Sequence, residues 1–564
     1  MSAHPLLRLA PLFRQSLGLL TVGVAGLIVG AALNLVGPWL IAQAIDVDLA
    51  TGDRDGLIEK AGLFALILLT NLTVVYGSRL ALEVSAQRAM LSLKRQLFDH
   101  LVDHDLAFHD RQSSGRLITR VQGDTEALRV LFTLVILAFP ADLLLFLGMF
   151  GVLWWTHPTI AAICFGVMPP YVLLFLLFRR ISPRRFLALR TVRAQLTGTL
   201  TEYLRAMVML RQFGRHHWAN ARAKELDQEV LHLDIAANLQ PVWYFNSVVA
   251  VRTLGIVALL WVGAGLVSDG VLTVGVLVMG LGYLRQMFHP LMRLSHQLTT
   301  IERARAAGTR IAEILDAPRS ITDGPKAWPG LRDGLRLEEV GFHYTEGTPV
   351  LRGVDLHVPA GQHIGIVGAT GSGKSTVLNL LLRFRDPTSG RVTLDGVDLR
   401  ELKISALRQK IGLVLQDVHL FAGTVLENLG GDADKSARAL AVVGVEIGLD
   451  QTLSDGGSNL SRGERQLLTF ARALVNDPEV LVLDEATSAI DPATEARVQA
   501  ALERVMAGRT VVTVAHRLVT VRDCDRIVVL GDGRVLEQGR HDELMHVDGA
   551  YAALHRLQTV REVV

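Results

Sequence analysis

Gly368-Ala369-Thr370-Gly371-Ser372-Gly373-Lys374-Ser375-Thr376 carries the plainest chemistry in the 564-residue chain, the pattern G-x-x-x-x-G-K-[ST]. Glycines so placed let the backbone wrap a phosphate chain, with successive N–H groups aimed inward at the positive end of the following helix. Lys374 would reach the β- and γ-phosphates, and Ser375 would offer its hydroxyl to Mg²⁺. A glycine-rich turn with a chance Lys-Ser is the bland reading, and the flanks oppose it. A strand-like run, His363–Val367, precedes the loop, and an apolar helical run, Val377–Leu382, follows it. The spacing predicts binding of ATP or GTP.

Further candidates end other strand-like runs. Leu481-Val-Leu-Asp484-Glu485 closes on two carboxylates. Asp484 fits the placing of Mg²⁺, and Glu485 fits the activation or orientation of the attacking water. On its own such a pair is as readily a solvated strand end; behind a phosphate loop the catalytic reading is the better one. Gln416 follows Gly412–Leu415, where a neutral amide would sense both Mg²⁺ and the water. His516 follows Val511–Ala515 and would hydrogen-bond a γ-phosphate, although a lone histidine is more often structural.

These residues need a sheet to hold them, and the second half of the chain supplies its pattern. Strand-like Val392–Leu394, Ile411–Leu415, Val480–Leu483, Thr510–Val514 and Ile527–Leu530 alternate with helical runs, as in an α/β domain with a largely parallel sheet. A Pro- and Gly-rich linker, Asp316–Gly330, separates it from a first half of different character.

That first half is built for lipid. The chain is 50% hydrophobic with mean hydropathy +0.34, too apolar for an ordinary soluble enzyme. Leu17–Ile45 and Thr159–Phe178 contain no charged side chain, and each is long enough to cross a bilayer core, which needs about 20 helical residues. Six spans are expected, at approximately 17–45, 57–82, 131–155, 159–178, 245–267 and 271–288. Ala42-Gln-Ala44 resembles a signal-peptide cleavage site, but the apolar run before it is too long for a signal peptide. Arg179–Glu229 holds eleven Lys/Arg against four Asp/Glu, whereas Asp46–Gly56 holds four Asp and one Arg. The positive-inside rule then puts the long loops and both termini in the cytoplasm. A net charge of +2 distributed this way is a membrane pattern, not a nucleic-acid footprint. Cys164 and Cys524, the two cysteines, make no disulfide framework or zinc site.

In order along the chain, the phosphate loop, Gln416, Leu460-Ser-Arg-Gly-Glu464, Asp484-Glu485, Ser488-Ala-Ile-Asp491 and His516 resemble the motifs of ABC-transporter ATPase domains. With six spans ahead of them, the chain resembles a half-transporter of the type IV, exporter-type architecture. The likeness covers nearly the whole chain, Phe108–Leu117 included. It implies a multi-domain membrane protein: a six-helix transmembrane bundle with long cytoplasmic helical extensions (1–315), a linker (316–335) and an α/β P-loop ABC ATPase domain (336–564). It implies ATP as the nucleotide, Tyr344 as the adenine-stacking residue, and Ser461 and Gly463 on the γ-phosphate of a nucleotide held by a partner subunit. Asp491 would contact across the dimer interface. Coupling helices are expected near Gln122–Ala127 and Phe213–Ala219, docking on the ATPase domains.

Two departures from the family stand out. The signature is usually Leu-Ser-Gly-Gly-Gln, and here Arg462 and Glu464 alter it; the stretch from Gln416 to Leu460 is also short. An altered signature beside an intact Lys374, Glu485 and His516 resembles the catalytically competent subunit of a heterodimeric ABC exporter. The expected partner is therefore a second ABC half-transporter, a different chain, in the plasma (inner) membrane of a bacterium. The expected cargo is an amphipathic small molecule, lipid or peptide. An importer on the same architecture and an ATP-gated channel are the alternatives; intact Glu485 and His516 favour turnover over gating. Asp142, Arg252 and Arg285 lie at a depth of roughly 20 Å from the outer ends of their spans, counted at 1.5 Å per residue, with Asn34 and Asn71 nearby. Charges at that depth face a bundle interior or a wet cavity. Asn34, Asp142, Arg252 and Arg285 are the expected substrate pathway, with mutual neutralisation for packing as the competing role.

Overall fold

The computed structural model describes residues 11, 14, 16–136, 139–484, 492–515 and 518–563. Long helices make up the first part: α1 (Leu17–Gln43), α2 (Arg54–Val102), α3 (Leu106–Arg111), α4 (Ser114–Thr119), α5 (Thr125–Val130), α6 (Phe139–Thr156), α7 (Pro158–Gly166), α8 (Met168–Arg205), α9 (Met207–Gln212), α10 (His216–Ser268) and α11 (Val274–Leu315). Among the described residues, five stretches are long and apolar enough to cross a membrane: Leu17–Leu49, Arg54–Val102, Phe139–Thr156, Pro158–Arg205 and His216–Ser268. The shorter apolar segment Val274–Phe288 opens α11. The expected third span, 131–155, differs in its first turns, where π-helical Leu131–Ile136 precedes α6.

These helices pack through small residues, since lipid gives apolar side chains no reason to leave it. A Cβ on Gly26 would fall 2.0 Å from the Ser78 hydroxyl of α2, and one on Gly280 would fall 2.8 Å from Ile160 of α7. Around such contacts Met149, Leu153, Tyr171, Leu259, Met279 and Phe288 form a buried cluster. Trp39, Trp155 and Trp261 stay exposed, as lipid-facing or interfacial aromatics do.

The chain divides into two compact units, Met1–Val102 with Ser114–Ala317, and Asp103–Ser113 with Pro318–Val564. In the second unit the elements run β1 (Gly334–Thr345), β2 (Thr348–Pro359), β3 (His363–Gly368), α12 (Lys374–Leu381), β4 (Ser389–Leu394), β5 (Val397–Asp398), α13 (Ile404–Lys410) and β6 (Ile411–Val414). They continue with β7 (Gly423–Thr424), α14 (Val425–Asn428), α15 (Ala433–Val443), β8 (Thr452–Leu453), α16 (Arg462–Leu474), β9 (Val480–Asp484), α17 (Pro492–Met506) and β10 (Thr510–Val514). β11 (Arg526–Gly531), β12 (Arg534–Gly539), α18 (His541–Val547) and α19 (Ala550–Val563) close the chain.

The central sheet has the order β12-β11-β3-β10-β9-β6, with β11, β3, β10, β9 and β6 parallel and β12 antiparallel at the edge. β9 shows why the sequence specifies this sheet. Side chains alternate across it, so Val480 and Val482 join one core with Leu378 and Leu381, while Leu481 and Leu483 join another with Leu467 and Phe470. Both faces are covered, which is why β9 reads as a continuous apolar run up to Asp484. A second, antiparallel sheet has the order β2-β1-β4-β5.

The Pro- and Gly-rich stretch after α11 contains no helix, yet it is tied down. Arg383, 1% exposed, donates to the Thr322 and Leu402 carbonyls and pairs with Asp386. Trp328 donates its indole N–H to Glu479 at 3.1 Å. Between Gln416 and Leu460 the short β7–β8 ladder, α14 and α15 fill the space, and α15 packs on α16 and α17.

Candidate functional site

Parallel strands end together, and here four neighbours in the sheet end at the predicted residues. Register pairs Val514 with both Asp484 and Ile366, and Val414 with Leu483. The carboxyl edges of β3, β10, β9 and β6 thus carry, side by side, the phosphate loop, the approach to His516, Asp484 and the approach to Gln416. At about 4.8 Å between strands, the row spans roughly 14 Å. Ligands of open α/β sheets bind at this edge.

The loop after β3 has the shape of a phosphate cradle. Gly371 and Gly373 adopt left-handed φ of +85° and +102°, and a Cβ on Gly373 would fall 2.6 Å from Leu351. Lys374, 5% exposed, bends back to donate to the Gly368 and Ala369 carbonyls at 2.8 and 3.0 Å. The Ser372 hydroxyl is buried with no hydrogen-bond partner among the described residues. A glycine-walled loop holding a buried cation and an orphan hydroxyl at the head of α12 fits a nucleotide's phosphates. Ser375, exposed in the first turn of α12, exposed Gln416 and half-buried Asp484 present only oxygen donors, the set that suits Mg²⁺. Glu485, Asp491 and His516 lie outside the described residues.

Tyr344, near the end of β1, is half-exposed and turns toward the loop, its hydroxyl 3.1 Å from Thr376 Oγ1. The Arg385 guanidinium lies 4.8 Å above its ring and also pairs with Asp110 of α3. No local pattern announced Arg385. α3 belongs to the ATPase unit through three such contacts. Asp103 pairs with Arg319 at 3.5 Å, Asp105 accepts from the Ser320 N–H at 2.6 Å and hydroxyl at 2.5 Å, and Asp110 meets Arg385. Asp105 also caps α3 by accepting from the Phe108 N–H. The docking helix of the first long loop is therefore α3, which corrects the expectation of Gln122–Ala127. That stretch lies in and just after a π-turn, where Asp124 is held by Arg310 of α11 at 2.5 and 2.9 Å. If the Asp110–Arg385 pair fixes α3, Asp110→Ala and Arg385→Ala should each speed amide hydrogen exchange across Leu106–Arg111. The double variant should add little to either; additive effects would mean that the pair does not act as a unit.

The altered signature has a structural use. Ser461 is the N-cap of α16, and Glu464 completes a capping box: the Glu464 N–H donates to Ser461 Oγ at 3.2 Å, while Glu464 Oε2 accepts the Ser461 N–H at 2.8 Å. The Ser461 hydroxyl also donates to Glu464 at 2.7 Å. Ser461 and Gly463 thus sit at the head of a helix that packs on α15, α17 and β6. The Ser461 hydroxyl, and then its N–H, hold the Glu464 carboxyl below the usual range against a smaller upward push from burial. A depressed folded pKa stabilises above the unfolded value of about 4.5 and loses that contribution as pH falls through the folded value. Glu464→Gln should therefore flatten the acid limb of the unfolding midpoint as pH falls below about 4.5. Coincident profiles for variant and parent would contradict the cap.

Of the expected pathway residues, Asn34 and Arg285 meet in one cavity between α1, α2 and α11, together with Asn71 and Gln286. Asp142, at the start of α6, and Arg252, in α10, do not line it. Gln286 went unread because a neutral amide inside an apolar helix carries no pattern of its own.

A phosphate-loop ATPase sheet in a chain with membrane-spanning helices defines a nucleotide-driven membrane machine. Residues 20–291 match the ABC transporter transmembrane region and residues 351–488 match the ABC transporter family. A probable multidrug resistance ABC transporter ATP-binding/permease protein, YheH of Bacillus subtilis (strain 168), is 32% identical over 89% of this chain and 77% of its own. A fatty acid ABC transporter ATP-binding/permease protein of Mycobacterium tuberculosis (strain CDC 1551 / Oshkosh) is 29% identical over 97% and 95%. The structure of a bacterial Atm1-family ABC exporter with ATP bound superposes with a TM-score of 0.78 at 25% identity, covering 95% of this chain and 97% of that one. The chain belongs to the ABC transporters, as a half-transporter of the exporter-type architecture: an integral membrane protein that binds ATP and couples its hydrolysis to transport.

Proposed function

We propose that this chain exports an amphipathic small molecule, lipid or peptide by alternating access, as the hydrolytically competent half of a heterodimer. The observation that supports the reading is the shared carboxyl edge of β3, β10, β9 and β6, which brings the phosphate loop and Asp484 beside the approaches to Gln416 and His516. Loop N–H groups and Lys374 bind the phosphates of ATP, and Tyr344 stacks on its adenine. Ser375, Gln416 and Asp484 would hold Mg²⁺, whose charge offsets that of the phosphates. Glu485 orients the attacking water and takes its proton, and His516 hydrogen-bonds the γ-phosphate. Ser461 and Gly463 serve the nucleotide of the partner, and Asp491 contacts across the interface. ATP shifts the equilibrium because the closed dimer binds it more tightly than the open one.

A partner is also called for at the tip of the second long loop. Val208, Phe213 and Trp218 are each more than half exposed around α9 and the start of α10, beside the expected docking stretch Phe213–Ala219. The bacterial relatives and the basic second long loop, Arg179–Glu229, support placement in an inner membrane with cytoplasmic termini. The partner is a different chain because Arg462 stands where the family keeps a glycine. Purification of this chain with its native membrane neighbours tests this. Co-assembly with a second half-transporter, and feeble ATPase activity when expressed alone, are expected. A stable homodimer with robust turnover would overturn the heterodimer.

A further inference from the structure

We infer that the cavity between α1, α2 and α11 binds the acidic headgroup of an anionic amphipath, with Arg285 as its charge partner. The inference rests on the export reading and names the cargo's chemistry. The cavity holds about 300 Å³, the lower end for a ligand pocket, which suits a headgroup and not a whole lipid. Its walls are mostly apolar, Ile41, Phe64 and Leu68 among them, so an alkyl chain leaving the headgroup stays on compatible surface.

The polar side chains that interrupt those walls are incompletely used. Asn71 donates to Asn34 Oδ1 at 3.2 Å, and Asn34 donates to the Gly30 carbonyl at 2.9 Å, which fixes the pair. The oxygens of Asn71 and Gln286 are buried with no partner among the described residues. Arg285 lines the cavity from the apolar segment Val274–Phe288, exposed to it, and no Asp or Glu is among the lining residues. A cation inside a membrane segment is costly and is found paired or facing a wet path. An arginine whose cavity supplies no carboxylate fits an anion brought in from outside, and its planar fork matches a carboxylate or a phosphate. The unpartnered amide oxygens accept from a hydroxyl or a water beside that acid. An amphipath with a cationic head would meet Arg285 as a like charge, and a neutral one would leave it unpaired.

Equilibrium binding to the nucleotide-free, full-length transporter in detergent tests this, with labelled oleate and lysophosphatidate as acids and oleyl alcohol and oleylamine as counterparts. At least one acid should bind about tenfold or more tightly than the alcohol; which acid it is tells carboxylate from phosphate. Arg285→Gln should erase that margin without changing alcohol binding. Arg285→Glu should invert the order, so that oleylamine outbinds both acids, a gain that misfolding cannot produce. Equal binding of acids and alcohol by the parent, acid binding untouched by Arg285→Gln, or no inversion in Arg285→Glu would each overturn the assignment. Failure here leaves export standing if some other amphipath is moved by ATP. Acid binding without ATP-driven movement would keep the site and remove the export reading.

Discussion

Replacing Glu485 by Gln should cut ATP turnover by about 10²–10⁴-fold, the range that positioned acid–base groups contribute, while nucleotide binding persists. The substitution keeps the side chain's size and removes only the carboxylate. Glu485 follows directly on Asp484, the last residue of β9, a strand buried on both faces and flanked in register by β10 and β6. The strand that leads to it, up to Leu483, is anchored by cores on both faces. Single-turnover hydrolysis and nucleotide trapping separate the two effects. Wild-type turnover in the variant would remove Glu485 from its role; loss of binding would mean that it acts on the ground state instead.

Lys374→Ala should act one step earlier, on binding. Its ammonium is buried and held by the Gly368 and Ala369 carbonyls, poised inside the loop. Hydrogen bonds to charged groups are worth about 1.5–3 kcal/mol, so losing the lysine should weaken ATP binding roughly ten- to hundredfold. The Gly368 and Ala369 carbonyls would also lose their donor, and the loop itself should become more mobile. Titration with a fluorescent ATP analogue checks this. Unchanged affinity with lost turnover would place Lys374 on the transition state alone.

The parts of this molecule encoded locally were legible in its sequence. Membrane helices follow from unbroken apolar length, and the α/β sheet follows from apolar runs such as Val480–Leu483 that close on polar residues. What local pattern could not give is which distant residues meet. α3 joins the ATPase unit through pairs such as Asp105–Ser320 and Asp110–Arg385, 215 and 275 positions apart, and nothing near residue 110 encodes them. Asp124, which the docking expectation had included, is spoken for by Arg310, 186 positions away. Depth counting put Asp142, Arg252 and Arg285 at one level, but a helix face cannot be read from depth, and only Arg285 lines the cavity with Asn34. Glu464 is the opposite case. Ser-x-x-Glu at the head of a helix is a capping signature written in the sequence itself, and comparison with the family's usual signature shows it only as a departure.

Export driven by ATP is tested most directly in inside-out membrane vesicles holding this chain and the partner it co-assembles with. Labelled oleate and a neutral amphipathic dye would be offered outside, where the ATPase domains then lie. On addition of ATP at least one should accumulate inside, and Lys374→Ala and Glu485→Gln vesicles should show no accumulation above the ATP-free level. Accumulation only in right-side-out vesicles loaded with ATP, or movement that is the same with and without ATP, would contradict the account.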